Sequence, residues 1–193
     1  MIQTVTVFCA SSKHTSDKYI KATCEIADIL IDNKIAVIYG GGAVGLMGCL
    51  ANRYIQRGGS IRGVIPGFMV KVEWNHPLIS DMVIVHNMQE RKKLLIENTD
   101  AVIAMPGGTG TLDELMEVLS LKRLGQFVKP IILVNVDGFY DGLIRFFETM
   151  VTEKFLRNEH LDTYKVINHP LELLKAINES PEWDESAIGR ASV

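Results

Sequence analysis

Short apolar runs rich in β-branched residues alternate along the chain with longer segments whose apolar residues recur at helical spacing. The runs do not alternate with polar residues, as in Ile131-Ile132-Leu133-Val134, so both faces of each strand are expected to be buried. The predicted strands, in chain order, are TVTVF, AVIY, SIRGVI, MVIVH, DAVIA and PIILVNV. Strands separated by helices predict βαβ units. We therefore expect a single doubly wound α/β domain, with a parallel sheet flanked by helices.

Helices are predicted over Ser16 to Asp32, over Gly45 to Arg57 and around Pro170 to Asn178. Gly67 to Ser80 breaks the pattern with proline, asparagine and mixed polarity, which predicts an irregular loop that can form one wall of a pocket. The domain is expected to cover residues 1–179, and residues 180–193 are expected to form a flexible C-terminal tail.

Composition and charge narrow the class of protein. The chain has 193 residues, 47% hydrophobic and 22% charged, which is typical of one globular domain. A net charge of -3 with scattered basic residues argues against a nucleic-acid partner. No apolar run reaches the roughly 20 residues of a membrane helix, and the start lacks a signal-peptide pattern, so we expect a cytoplasmic protein without a membrane partner. Three cysteines and five histidines show no metal-ligand spacing, so no metal is expected.

Two glycine-rich loops each follow a predicted strand and precede a helix. The first, YGGGAVGLMG, contains GxGxxG at Gly40, Gly42 and Gly45, the fingerprint of a dinucleotide site. The acidic residue that would hold the ribose is absent at the required distance, while Arg62 leaves an NADP site as an alternative. Tight packing of strand against helix explains the glycines equally well.

The second loop, PGGTGT at 106–111, points free N–H groups and the positive end of a helix at one place, which predicts an anion site. No GK[ST] sequence follows, so a single phosphate is favoured over a nucleoside triphosphate. The alternative is that Thr111 only caps the helix, which explains one threonine but not the clustered glycines.

The helix after this loop has apolar residues at i, i+3, i+4 and i+7, namely Leu112, Leu115, Met116 and Leu119. This face is predicted to pack on the sheet. Glu114 is then expected to face elsewhere, where it favours the helix dipole, closes a capping box, or contacts a part of the ligand other than the anion.

Arg91, Lys92 and Lys93 open the helix that precedes the strand leading to PGGTGT. Cations are locally unfavourable at a helix start, although a solvated basic face is the common explanation of such a run. Neighbouring parallel strands deliver their carboxyl ends to one crevice, so a single anion could contact both Arg91 and the second loop.

Together these motifs resemble those of the Lonely Guy (LOG) phosphoribohydrolases, long labelled possible lysine decarboxylases. The family signature PGGxGTxxE is matched from Pro106 to Glu114, and MxxRK is matched from Met88 to Lys92. FCASS, YGGGAVGLMG and NVDGFYDGL also match, so the resemblance covers most of residues 2–178. The chain departs from the family pattern at Ala10, Gln89 and Thr109.

The resemblance implies a Rossmann-like hydrolase of cytokinin biosynthesis or an AMP nucleosidase, without a cofactor and usually a homodimer. Its reaction would be hydrolysis of the N-glycosidic bond of a nucleoside 5′-monophosphate to free base and ribose 5-phosphate. By position, Arg91 and Glu114 are the expected catalytic pair, with their separate roles left open. The expected substrate-binding residues are Ser11, Gly41, Gly42, Glu73, Met88, Lys92, Gly107, Gly108, Thr109, Gly110, Thr111 and Ser120.

The chemistry of this reaction suits the residues. Cleavage passes through an oxocarbenium-like state. A carboxylate such as Glu114 either stabilises the positive charge of this state or activates the attacking water. A phosphate held by the loop would fix the ribose against this acid. The alternative is a non-catalytic carrier or sensor of a phosphorylated nucleotide or a molybdenum-cofactor-like ligand, which needs the anion loop but not the acid. An NADP oxidoreductase is the third hypothesis.

Overall fold

Seven parallel strands form one sheet at the centre of the computed structural model, which describes residues 2–71 and 74–190. The strands are β1 (Thr4–Phe8), β2 (Ala36–Tyr39), β3 (Ile61–Pro66), β4 (Met82–Val85), β5 (Ala101–Ala104), β6 (Ile131–Val134) and β7 (Lys165–Ile167). All neighbouring strands pair in parallel. The predicted doubly wound α/β fold is confirmed, and β7 is a strand that the sequence pattern did not reveal.

Seven α-helices connect or follow these strands in the described part of the chain. They are α1 (Asp17–Asp32), α2 (Gly45–Arg57), α3 (Gly67–Val70), α4 (Met88–Ile96), α5 (Thr109–Arg123), α6 (Asp141–Thr152) and α7 (Leu173–Asn178). Short 3-10 helices lie at Val136–Gly138, Asn158–Thr163, Pro170–Glu172 and Glu185–Arg190. Within residues 2–71 and 74–190, no helix has the length and apolarity that crossing a bilayer requires.

The direction of winding reverses at β1. The order across the sheet is β4-β3-β2-β1-β5-β6-β7, so the chain moves outwards from β1 to β4 and then restarts on the other side with β5. Val5 pairs with Val37 of β2 on one side and with Ala101 of β5 on the other. The loops that leave β1 and β5 therefore diverge, which opens a crevice at the carboxyl ends of these strands, where ligands bind in such sheets.

Each face of the sheet supports its own hydrophobic core. Ile132 and Val134 of β6 lie in the core that includes helices α1, α2 and α7, whereas Ile131 and Leu133 lie in the core beneath α4 and α5. Strand residues alternate between the two faces, so a strand buried on both sides is apolar throughout. This arrangement explains the uninterrupted apolar run in β6.

The buried face of α5 differs from the predicted one. Leu115 is buried as expected, but Leu112, Met116 and Leu119 are only half-buried. The residues that α5 buries most deeply are Thr111, Glu114, Leu115, Val118 and Lys122. Three of these are polar or charged. Leu112, Met116 and Leu119 do pack against the core beneath α5 as predicted, so the apolar spacing identified one part of the buried surface and missed the polar part. The expectation that Glu114 faces away from the buried side was wrong.

The segment after β3 covers the first glycine loop. It begins with the short helix α3, so the prediction of an irregular loop was wrong for Gly67–Val70. Of the residues that follow, those that the structure describes, 71 and 74–80, contain no further helix, and Asn75 forms an isolated bridge with Gly42. The Ala43 N–H donates to the Trp74 carbonyl oxygen at 3.1 Å, and the His76 N–H donates to the Gly41 carbonyl oxygen at 2.9 Å. These backbone bonds fix the segment above the carboxyl end of β2.

The beginning of the predicted tail packs against α5. The Trp183 indole N–H donates to the Lys122 carbonyl oxygen, and Ala187 is buried. A Cβ at Gly125 would lie 2.7 Å from the Glu185 carbonyl oxygen, so the chain passes close to the end of α5. Contacts with the domain therefore continue past residue 179, and the mobility of the segment stays a prediction.

Candidate active site

A cavity of about 680 Å³ lies at the carboxyl end of the sheet, at the crevice beside β1 and β5. Its walls are segments 9–13 after β1, residues 40 and 42–44 after β2 and segment 108–111 after β5, with side chains from α2, α3, α4 and α5. This volume is within the range of roughly 300–1,000 Å³ that small-molecule sites occupy. Both glycine loops thus face one cavity.

A buried ion pair joins α4 to α5 in the wall of this cavity. The Arg91 guanidinium donates to the Glu114 carboxylate, and the two residues are 5% and 6% exposed. Arg91 also donates through Nε to the Val64 carbonyl oxygen at 3.1 Å and through Nη2 to the Gly40 carbonyl oxygen at 3.5 Å. The guanidinium is therefore anchored to the ends of β2 and β3 while it holds the carboxylate from the β5 side.

The first glycine loop makes room for this arginine. A Cβ at Gly40 would lie 2.3 Å from Arg91 Nη2, so a larger residue would displace the buried guanidinium. The GxGxxG pattern thus has an explanation here that involves no dinucleotide. Arg62, the basis of the NADP alternative, lies near the start of β3 and pairs with Asp81, at the opposite end of the strand from the cavity.

Burial and charge act in opposite directions on Glu114. Removal from water is the larger influence and raises the pKa of its carboxyl above the ordinary value, while the positive charge of Arg91 opposes the rise. Burial also raises the pKa of the neighbouring Cys9 thiol, and the charge of Glu114 adds to that effect. Cys9 is therefore a neutral thiol in the cavity wall, whereas Glu114 is an acid whose ionisation depends on its arginine.

The second glycine loop offers open backbone donors. Helix α5 begins at Thr109 with Gly108 as N-cap and without a side-chain cap, and the first backbone bond of its ladder runs from Leu112 N–H to the Gly108 carbonyl oxygen. The N–H groups of residues 109–111 precede that ladder, at the positive end of the helix. Thr111 is the third residue of α5, so the interpretation of this threonine as the helix cap was wrong. A capping box with Glu114 is likewise absent, because Glu114 pairs with Arg91.

Gly107 is needed for the close approach of the loop to the helix. A Cβ there would lie 2.1 Å from Thr111 Oγ1. Gly107 therefore shapes the loop from behind, without lining the cavity itself.

Most of the predicted site residues are brought together. Those that line the cavity are Ser11, Gly42, Met88, Arg91, Gly108, Thr109, Gly110, Thr111 and Glu114. Gly41 and Gly107 lie next to lining residues but are not part of the surface. Glu73 is outside the described residues.

Lys92 and Ser120 lie away from the cavity. Lys92 Nζ is 2.5 Å from Glu117 Oε2 and 3.2 Å from Asp113 Oδ2, so this lysine connects α4 to the outer face of α5. Ser120 lines a second cavity of about 270 Å³ between α5, α6 and the 3-10 helix at Asn158–Thr163. The structure therefore separates these two residues from Arg91 and Glu114.

Several lining residues were not among the predicted site residues, although Val44 and Met47 lie within the motif YGGGAVGLMG. They include Lys13, which is exposed after β1, and an apolar group formed by Val44, Met47, Ile65, Met69 and Trp74. Position offered the available signal, since Lys13 follows the carboxyl end of β1, and Met69 and Trp74 belong to the irregular segment predicted to form a wall. Among the described residues, no group of three or more His, Cys, Asp or Glu side chains is placed to hold a metal ion.

Comparisons with known proteins support a relationship over most of the chain. A family model described as "Possible lysine decarboxylase" matches residues 47–177. Cytokinin riboside 5′-monophosphate phosphoribohydrolase LOG7 of Arabidopsis thaliana is 36% identical over 182 residues, which cover 94% of this chain and 84% of that protein. LOG5 of the same plant, with the same activity in its name, is 34% identical over 187 residues, covering 97% of this chain and 82% of the relative.

Solved structures with the same architecture share less sequence. The molybdenum cofactor carrier protein of Chlamydomonas reinhardtii has a TM-score of 0.70 at 16% identity, with 93% of this chain and 98% of that chain covered. The molybdenum cofactor binding protein of Rippkaea orientalis has a TM-score of 0.66 at 19% identity, with 92% and 98% covered. At these identities the likeness shows a common fold.

Proposed function

The chain belongs to the LOG phosphoribohydrolase family, and from this premise we propose that it hydrolyses the N-glycosidic bond of a nucleoside 5′-monophosphate to free base and ribose 5-phosphate. One observation carries the proposal beyond family membership. A buried carboxylate, Glu114, is held by Arg91 in the same cavity as a helix N-terminus with open N–H donors. An anion site and an acid kept apart from it are what this reaction requires.

The phosphate of the substrate binds at the start of α5. The N–H groups of residues 109–111 and the helix dipole favour a negative group there. Lys13 lies on the adjacent loop after β1 and supplies a positive charge at the mouth of the cavity. This binding energy fixes the ribose, so the phosphate acts as a handle for the chemistry at C1′.

Glu114 acts on the ribose. As the C1′–N bond breaks, positive charge develops on the sugar, and the carboxylate stabilises that charge or accepts a proton from the attacking water. The water oxygen bonds to C1′, and the departing base takes up a proton. Glu114 is 6% exposed, so few solvent molecules compete with these contacts.

Arg91 positions Glu114 and keeps it ionised. Its guanidinium is bonded to two backbone carbonyl oxygens and to the carboxylate, which leaves little freedom to follow a phosphate. These contacts favour positioning of the acid over phosphate binding. The remaining N–H groups of Arg91 are available to the ribose or the departing base.

We further propose that the substrates are AMP and cytokinin riboside 5′-monophosphates. We also propose that the protein is cytoplasmic and forms a homodimer. The exposed rings of Phe146 and Phe155, 54% and 72% exposed, provide apolar surface that a second copy could cover. Sedimentation at micromolar concentration tests the dimer independently of activity.

Substitution Glu114→Gln tests the function directly. Wild-type and variant proteins are incubated with AMP and with isopentenyladenosine 5′-monophosphate, and free base and ribose 5-phosphate are quantified by chromatography. We expect the wild type to release base and the variant to lose about 10²- to 10⁴-fold in kcat, the range for removal of a positioned acid or base. Nucleotide affinity, measured by calorimetry, is expected to change only a few-fold.

Glu117→Gln is the matched control. It removes a carboxylate from the same helix, but this carboxylate contacts Lys92 and not Arg91. This variant is expected to retain activity close to wild type. If the wild type binds both nucleotides but releases no base, the hydrolase proposal is wrong and a carrier or sensor takes its place.

A further inference from the structure

We propose that Trp74 is the platform on which the base of the nucleotide stacks, and that the site therefore selects bases by the size of their flat face. This inference rests on the proposed function, since it names the part of the substrate that meets the wall opposite the anion site. It assigns a role to a residue that none of the sequence motifs contains.

Trp74 is held in place by its backbone while its ring stays open. The Trp74 N–H donates to the Met69 carbonyl oxygen at 3.2 Å, and the Trp74 carbonyl oxygen accepts from the Ala43 N–H at 3.1 Å. Met69 and Ala43 also line the cavity. The residue is nevertheless 60% exposed. An indole that lines a cavity, is fixed at both ends of its backbone and is open to solvent is suited to accept a flat ligand.

The surroundings of Trp74 form an apolar wall. Val44, Met47, Ile65 and Met69 line the same side of the cavity, which is built from the loop after β2, the start of α2 and the end of β3 with α3. Thioether side chains adapt their shape to a ligand and make favourable contacts with aromatic rings. This side can therefore cover both faces or the edge of a purine.

The wall lies at a suitable distance from the anion site. Strand β3 is separated from β5 by three strand spacings across β2 and β1, which is roughly 14 Å. The Arg91–Glu114 pair bridges this gap, because Arg91 is anchored at Val64 and Gly40 while Glu114 comes from the β5 side. A nucleotide with its phosphate at α5 and its ribose at Glu114 thus directs its base towards Trp74.

The described part of this side offers a stacking surface for the base. The lining side chains with hydroxyl or charged groups belong to the loops after β1 and β5 or to the Arg91–Glu114 pair. Among the described residues, the β2–β3 side presents apolar side chains to the cavity. Base edges are read by hydrogen bonds, whereas stacking on an aromatic ring depends on the area of the base. A purine is therefore expected to bind better than a pyrimidine.

Fluorescence measures the stacking without turnover. The chain has two tryptophans. Trp183 belongs to the C-terminal segment and donates its indole N–H to the Lys122 carbonyl oxygen of α5, and it does not line the larger cavity. In a Trp183→Phe, Glu114→Gln protein, we expect AMP to quench the emission of Trp74 and ribose 5-phosphate to leave it nearly unchanged. Trp74→Phe, Glu114→Gln, which reports Trp183 alone, is expected to show no quenching by either compound.

Kinetics measure the selection. Trp74→Ala is expected to lower kcat/KM for AMP about 5- to 100-fold, in line with the loss of one base–aromatic stack. The loss for UMP is expected to be smaller, so the ratio of AMP to UMP hydrolysis falls. Trp74→Phe keeps a stacking ring and is expected to stay within about threefold of wild type. A melting curve for each variant checks that the fold is retained.

The outcomes separate the inference from the proposed function. If no variant or wild-type protein releases base but AMP quenches Trp74, the function is wrong and the stacking stands. If base is released but calorimetry shows AMP binding without quenching of Trp74, the stacking is wrong. An equal loss for AMP and UMP in Trp74→Ala would overturn selection by face area.

Discussion

The two halves of α5 bury charges on the same side of the helix, yet their surroundings have little in common. In the first half, Glu114 lies in the larger cavity, paired with Arg91 and next to open N–H donors. In the second half, Lys122 is 1% exposed, donates to the Lys129 carbonyl oxygen at 2.8 Å and lines neither of the two cavities described above.

This difference teaches that neither burial of a charge nor a concave surface is enough to mark a site. The second cavity is lined mainly by apolar side chains such as Met116, Leu119 and Met150. What distinguishes the first is that charged side chains from α4 and α5 meet in it beside the start of α5, where the first N–H groups of a helix have no acceptor within the helix. Convergence of this kind follows from the reversal of strand order at β1.

The largest effect that would sharpen the comparison is the pH dependence of base release. Burial raises the pKa of Glu114 above the ordinary 4.5, with Arg91 in opposition. Only the ionised form is expected to act, so kcat/KM should rise with pH and fall about tenfold per unit below the raised pKa. The measurement is a pH profile of kcat/KM for AMP from pH 4 to 8. A midpoint at or below the ordinary value, or activity that falls as the pH rises through this range, would contradict the role of Glu114.

A second prediction concerns the glycine that shapes the first half. In Gly107→Ala the new methyl group would lie 2.1 Å from Thr111 Oγ1, so the loop and the start of α5 must move. Overpacking of this kind costs about 1–3 kcal/mol. Because the phosphate donors move with the loop, we expect KM to rise about tenfold and the melting temperature to fall.

The matched control is Gly142→Ala in α6, where a Cβ meets no atom within 4 Å. Alanine is favoured over glycine in a helix, so this variant is expected to melt at the same or a higher temperature. If KM and melting temperature respond alike in both variants, the close contact at Gly107 has no special importance.

The third prediction addresses the buried charge in the second half. Burial lowers the pKa of Lys122 to about 8, whereas an unfolded lysine titrates near 10.4. Between these values the unfolded chain binds more protons, so the wild type should gain stability as the pH rises from 8 to 10, on the order of 2–3 kcal/mol. Lys122→Met lacks this gain. Melting curves of both proteins from pH 8 to 10 test this difference in stability, and Lys175→Met, at an exposed lysine, is the control. If the stability of wild type and of Lys122→Met changes in parallel with pH, the prediction is wrong.

The same helix shows how far sequence reasoning extends. The strand pattern predicted the parallel sheet, and the linked motifs placed Arg91, Glu114 and residues 108–111 at one cavity. The burial of Thr111, Glu114 and Lys122 was missed, because apolar spacing predicts only the apolar contacts of a helix. Burial of a charge depends on a partner from elsewhere in the chain, and the spacing of residues within one helix does not identify that partner.

Contacts across the sheet were also beyond the sequence. Trp74 reaches the cavity because its segment bonds to the loop after β2, which lies about 30 residues earlier in the chain. Lys92 follows Arg91 directly but points to the outer face of α5, because neighbouring residues on a helix lie about 100° apart. The motif match therefore predicted the position of Arg91 in the cavity, but it also assigned Lys92 to the substrate site, from which the structure separates it.

The smallest expected effect lies at Ser120, where the motif and the geometry disagree. Its side chain is exposed and lines the second cavity, two turns along α5 from Thr111 and Glu114. Ser120→Ala is therefore expected to change kcat and KM for AMP by less than about twofold, because no contact with the nucleotide is lost. Thr111→Val, which removes a hydroxyl at the larger cavity, is expected to raise KM several-fold in the same assay. A loss in Ser120→Ala as large as in Thr111→Val would mean that the two halves of α5 serve one site, and that a second copy of the chain or a movement of α6 brings Ser120 to the substrate.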